Sequence, residues 1–338
     1  MKATIYEGNK TFTVIDKEIE QPSNDEVRIK VAYSGVCGTD VHIYHGMMDK
    51  RVAMPQTIGH EMSGTIDAVG ADVTGFSIGE KVVVRPLDDR KVKASDKGFN
   101  HICEELKFIG IDSPGSMQQY WNVPAFVLHK LKAETDLKLA ALIEPLSVAT
   151  HDVRRSGLVK GETAVVLGGG PIGLLVAMVA KEVGAQVIIS EVNPKRIAKA
   201  KELGFDAVNP LELDLVEYVK SKTENRRADV VFEVAGVQPA LDVMCEVAGI
   251  RGRILMVAIH GEKKPVDLFK FFWKELSLIG ARVYEKEDYE KAIELITANE
   301  LPFEQMITDV QPLTNIQQVF ENIDNNPDGL KVLMDCQL

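Results

Sequence analysis

Several things are scarce in this chain, and each scarcity removes a class of protein. Lys and Arg number 39 against 50 Asp and Glu, a formal charge of −11, and no long basic run interrupts the acid excess. A nucleic-acid binder needs a basic stripe that neutralises phosphate, so no nucleic-acid partner is expected. Cysteine is rare: Cys37, Cys103, Cys245 and Cys336 are the four in 338 residues, too few for a disulfide framework. The opening Met1-Lys2-Ala3-Thr4-Ile5-Tyr6 has no apolar leader, which sets the expectation of a cytoplasmic protein with reduced thiols. One stretch, Thr163 to Ala180, is nearly free of charge, but Gly168-Gly169-Gly170-Pro171 sits in its middle. A membrane span would be interrupted there, so a buried strand, a turn and a buried helix are expected instead, with no membrane partner. Internal repeats and low-complexity segments are absent.

What remains is the mix of a globular enzyme, 45% hydrophobic and 26% charged, long enough for about two domains. The spacing predicts short strands over Lys2–Glu7, Glu26–Ser34, Met62–Val69 and Lys81–Arg85, a compact mostly-β unit. Leu87 to Ser116 reads as a polar excursion or lobe. From Thr163 the texture changes to alternating strands and helices, predicting a parallel sheet built from right-handed crossovers. Two helices and a last strand, Lys331–Met334, are expected to close the chain.

Gly168, Gly170 and Gly173 form GxGxxG between an apolar strand and an apolar helix that Pro171 and Ile172 open. Such glycines permit a tight turn, a close approach of backbone to pyrophosphate, and close packing of helix on strand, with the helix N-terminus facing the anion. Glu191 ends the next strand, 18 residues past Gly173, where an acid accepts from ribose hydroxyls and repels a 2′-phosphate. The expected cofactor is therefore NAD rather than NADP. Arg196 either lies along the adenine or belongs to the charged face of the following helix.

Gly35-Val36-Cys37-Gly38-Thr39-Asp40 is followed by Gly59-His60-Glu61, then Gly64, Gly70 and Val73. A thiolate, an imidazole and a carboxylate suit Zn²⁺, and three protein ligands leave the open position that a catalytic zinc needs. This spacing resembles the zinc-containing alcohol dehydrogenase signature of the medium-chain dehydrogenases, and the likeness runs through GxGxxG to Lys331-Val332. The run Ala141-Leu142-Ile143-Glu144-Pro145-Leu146-Ser147-Val148-Ala149 is similar to the polyol (sorbitol-type) branch in particular. The resemblance implies an α/β fold: a GroES-like catalytic domain over 1–147 and 284–338, and a Rossmann NAD-binding domain over 148–283. By that resemblance Cys37, His60 and Glu61 would ligate zinc, and Glu144 would be a fourth ligand or hold the water on the metal. Thr39 and His42 stand at the offsets of the family's proton relay, and Asp40 would orient His60.

There are departures. Many relatives hold a second, structural zinc with four cysteines in the lobe, but here only Cys103 is present, so one zinc per chain is expected. Tyr284 matches a substrate-facing tyrosine, while Arg282 lies one place off the polyol pattern and His260 matches nothing, reading as a loop residue. The implied activity is hydride transfer from a secondary alcohol, a polyol or sugar derivative, to NAD in a homodimer or homotetramer. L-threonine 3-dehydrogenase and 2,3-butanediol dehydrogenase are the alternatives within the class. A zinc-free quinone reductase shares the fold but has no need of Cys37 and Glu144, and a non-catalytic NAD-binding scaffold is the alternative outside the class.

Overall fold

The computed structural model describes residues 1–325 and 328–338, and the chain separates into two compact units. One comprises Met1–Glu144 with Glu285–Leu338, the other Pro145–Tyr284. The helix Ile143–Ser156 carries the chain from the first into the second.

The first unit is built on a seven-stranded sheet. Its order is Ile307–Pro312, Lys331–Asp335, Glu26–Gly35, Glu61–Val69, Lys81–Val84 and Leu128–Lys130, with Tyr120–Pro124 also paired to Glu26–Gly35. Alternation of buried and open positions along Glu26–Gly35 (Val27, Ile29 and Val31 buried) gives the strand its core face. Antiparallel register sets Gly35 opposite Glu61, and Leu333 pairs with Gly35 from the other side. Two distant parts of the chain thus meet at one strand end, immediately before Cys37. The seven-residue helix Gly38–Tyr44 then follows, a helix that the residue pattern had not marked.

The second unit is a six-stranded, wholly parallel sheet. Its order is Asp206–Val208, Gln186–Ser190, Thr163–Leu167, Ala228–Glu233, Ala248–Met256 and Ser277–Gly280. Every residue of Thr163–Leu167 is buried, as expected of a central strand covered on both faces. The crossover helices begin on side-chain caps or proline. Asn193 accepts from the N–H groups of Lys195 and Arg196, Asp214 from Val216 and Glu217, and Pro171 occupies the first turn after Gly170. Order grows outward in both directions from Thr163–Leu167, so the carboxyl ends of that strand and of Ala228–Glu233 bound the crevice where open α/β sheets take nucleotides.

Candidate active site

The ligand atoms of Cys37, His60 and Glu61 lie within 4.8 Å of one another. His60 is 2% and Glu61 0% exposed, and Cys37 is partly buried. Each donor is tied from behind. The carboxylate of Asp40, itself fully buried, accepts the Cys37 N–H at 2.9 Å and stands 3.5 Å from His60 Nδ1. Lys331 Nζ donates to both oxygens of Glu61 at 2.7 Å and to the Val36 carbonyl at 3.1 Å. A Cβ at Gly35 would run into the Glu61 carboxylate, so glycine there makes room for it.

Charge follows from this geometry. Burial alone pushes His60 down, but the Asp40 and Cys37 charges outweigh it and hold the imidazole well above its ordinary range. Lys331 is likewise pushed down by burial and raised on balance by Glu61 and Cys37. His60 Nδ1 and Asp40 Oδ1 are buried atoms without a hydrogen-bond partner. Metal-bound imidazoles usually have a carboxylate beside the second ring nitrogen. A soft thiolate, an imidazole and a carboxylate, converging and held, are a set that fits zinc.

Glu144 is 5% exposed in the first turn of Ile143–Ser156. It is not among the three donors that converge, although its charge bears on Lys331. Thr39 and His42 lie three apart on the Gly38–Tyr44 helix and so share a face; Thr39, two residues after Cys37, is half-buried and His42 is exposed.

In the second unit, Gly170 precedes the helix Pro171–Val183 and Gly168 has φ of 112°. A side chain at Gly173 would collide with the Gly168 carbonyl, the close packing that the third glycine serves. The buried carboxylate of Glu191 accepts N–H groups from Gly169 (2.8 Å), Val192 (2.7 Å) and Asn193 (2.8 Å), and Arg196 Nη1 stands 4.0 Å from it.

Residues 171–298 match the zinc-binding dehydrogenases, and residues 23–133 match the alcohol dehydrogenase GroES-like domain. The chain is 56% identical over 337 residues to a 2-dehydro-3-deoxy-L-galactonate 5-dehydrogenase of Pseudoalteromonas atlantica, covering 99% of each. It belongs to the zinc-dependent medium-chain alcohol dehydrogenases. A sorbitol dehydrogenase of Halalkalibacterium halodurans is 34% identical, again over 99% of each chain, which places this dehydrogenase in the polyol branch. The crystal structure of galactitol-1-phosphate dehydrogenase from Escherichia coli superposes with a TM-score of 0.92 at 27% identity, over 99% of this chain and 100% of that one. The fold is accordingly the expected one, a GroES-like domain and a parallel-sheet Rossmann domain.

Other expected site residues of this dehydrogenase fall as follows. Tyr284 is fully buried where the second unit ends, and Arg282 is exposed. Val283 between them has φ of 50°, a left-handed backbone that a β-branched residue rarely adopts. In the lobe Cys103 is buried, and its thiol is pushed up by burial and by Asp96. Three of the lobe's acids are engaged with arginines, Asp88 with Arg90, Asp89 with Arg85, and Asp112 with Arg51 through two 2.7 Å bonds, while Glu104 and Glu105 lie beside Lys93. Two residues of consequence were missed. Lys331 lies 270 residues from Glu61 along the chain, and nothing local marks it. His260, read as a plain loop residue, hydrogen-bonds a fully buried Glu233.

Proposed function

We propose that this dehydrogenase oxidises a secondary hydroxyl of a polyol or sugar-derived acid with NAD, using one zinc ion per chain held by Cys37, His60 and Glu61. The buried convergence of those three donors, braced by Asp40 and Lys331, carries the reading. Zinc held there would supply Lewis acidity to the substrate oxygen, and a bound nicotinamide would accept the hydride. The chain's own residues handle the proton. Thr39, half-buried two residues after Cys37, would take it from the hydroxyl, and His42, on the same helix face and exposed, would release it to water. Glu144 would add a further carboxylate beside the donors. Tyr284 would pair a second hydroxyl, the kind of contact that rejects analogues lacking it.

Within the polyol and sugar-acid class, the 56%-identical relative favours a deoxy keto sugar acid oxidised at position 5. Glu191 supports NAD over NADP, since a carboxylate fixed at the end of the second strand repels a 2′-phosphate. The single buried thiol of the lobe, where Asp88 and Asp89 pair with arginines and Glu104 and Glu105 with Lys93, supports one zinc. Four unpaired cysteines support a cytoplasmic setting, and no helix among the described residues is long and apolar enough to cross a membrane.

A homo-oligomer is supported by the open edge of the parallel sheet. Ser277–Gly280 is an edge strand with Leu278 half exposed, and the helix before it, Leu268–Lys274, exposes Phe272 (78%) and Trp273 (72%). An unpaired apolar edge pairs antiparallel with the same edge of a second copy about a two-fold axis.

The test of substrate is a comparison of kcat/KM for 2-dehydro-3-deoxy-L-galactonate, L-galactonate, C4–C6 polyols, 2,3-butanediol and L-threonine, each with NAD and NADP. A sugar acid or polyol with NAD should lead by about tenfold or more, since one well-paired hydroxyl is worth that much. Threonine or the simple diol in the lead would overturn the substrate while leaving the zinc chemistry; NADP in the lead would overturn the reading of Glu191.

A further inference from the structure

We propose that His260 is a cofactor-contacting residue, its Nδ1 accepting the carboxamide N–H of a bound nicotinamide while Glu233 holds the ring. The proposal rests on the reading that NAD occupies the crevice at the carboxyl edge of the parallel sheet. Glu191 directly follows Gln186–Ser190, the strand on one side of Thr163–Leu167, which assigns the adenosine half to that side. The nicotinamide half then belongs over Ala228–Glu233 and its neighbour Ala248–Met256.

His260 falls there. Glu233 is the last residue of its strand, opposite Leu167 on one side and Met256 on the other. Its carbonyl accepts the N–H groups of Val257 and Ala258, both at 3.0 Å, so the loop leading to His260 folds over the strand end. The Glu233 carboxylate is fully buried; Oε1 accepts the Gly236 N–H at 2.7 Å, and Oε2 lies 3.1 Å from His260 Nε2.

That pairing decides what the ring can offer. A carboxylate only accepts, so Nε2 carries the proton of this bond, and a ring holding its single proton there presents Nδ1 as an acceptor. Nδ1 is buried and has no hydrogen-bond partner among the described residues. A buried acceptor left bare is costly, which points to a donor that arrives with a ligand. On the nicotinamide ring the carboxamide is the only N–H donor.

The experiment measures the Kd of the zinc-loaded protein for NADH, for reduced 3-acetylpyridine adenine dinucleotide, which lacks the carboxamide N–H, and for ADP-ribose. Wild type, His260→Leu and His260→Asn are compared. His260→Leu should weaken NADH by about fivefold to tenfold, the size of one neutral hydrogen bond, and leave the other two ligands unchanged. His260→Asn, which keeps an acceptor near the place of Nδ1, should recover part of the loss. Equal losses for NADH and its acetylpyridine analogue, a loss for ADP-ribose, or no loss at all would each overturn the proposal. A wild-type chain that binds ADP-ribose but not NADH would instead overturn the cofactor reading on which it rests.

Discussion

The pocket around Cys37 and the turn around Gly168 are built from different material. The pocket is made of side chains, several of them buried and charged: Asp40, His60, Glu61 and Lys331 all lie below 5% exposure. Removing one member leaves its partner buried and charged without its counter-charge, a heavy cost. The turn is made of backbone. Its N–H groups and the helix behind them would do the binding, and glycine matters there for the volume it leaves empty. A side-chain site should therefore fail by deletion, and a backbone site by addition.

That contrast can be broken most sharply by a reciprocal pair of variants. Cys37→Ala or His60→Ala should abolish turnover while NADH binding, read by fluorescence titration, survives. Gly173→Val should do the reverse, weakening NADH by at least about tenfold through displacement of the turn while zinc content, read by metal analysis, is unchanged. If either substitution abolished both functions, the two sites would not be separable as described.

Lys331 sharpens the same contrast. In the zinc-stripped protein Lys331→Met leaves Glu61 buried and unpaired, and unfolding in urea should show a loss of about 3–5 kcal/mol. The double variant Lys331→Met/Glu61→Gln should regain most of it, and zinc should shrink the loss in the single variant. A neutral Lys331→Met would mean that the pair contributes little.

The next effect is smaller and concerns acid. Burial, aided by the Arg85 and Lys286 charges, lowers His129 in the first unit from its ordinary 6.5 to about 4. Above pH 6.5 the ring is neutral folded or unfolded, and its contribution is fully present. Between pH 6.5 and 4 only the unfolded chain takes the proton, so stability falls by at most about 3 kcal/mol as pH drops through that window. His129→Gln should flatten this part of the stability–pH curve; an unchanged slope would remove His129 as its source.

The smallest effect on chemistry is expected at the sheet edge. Trp273→Glu with Leu278→Lys should lower the oligomer size seen by light scattering while zinc content holds. A particle of unchanged mass would place the interface elsewhere.

Much of this was legible from residue order because the signals are local. Alternating apolar strands and helices announced the parallel sheet, and Cys37, His60 and Glu61 are chemically conspicuous within one short stretch. GxGxxG and Glu191 fall within a single strand–turn–helix–strand unit. The missed features are those in which an ordinary residue takes its meaning from a distant one. Lys331 has the composition of a surface strand until strand register brings it to Glu61. His260 is a loop histidine until the loop crosses Glu233. The Gly38–Tyr44 helix opens on glycine and runs for only seven residues, too short for periodicity to show, and the four-residue edge strand Ser277–Gly280 is shorter still.

The chemistry should depend on one zinc ion held by Cys37, His60 and Glu61. Metal analysis of the purified chain beside Cys37→Ala tests it most directly. One zinc per chain is expected in the first and none in the second, with dehydrogenase activity lost alongside the metal. Two tightly held zinc ions in the wild type, or an active Cys37→Ala chain free of zinc, would contradict it.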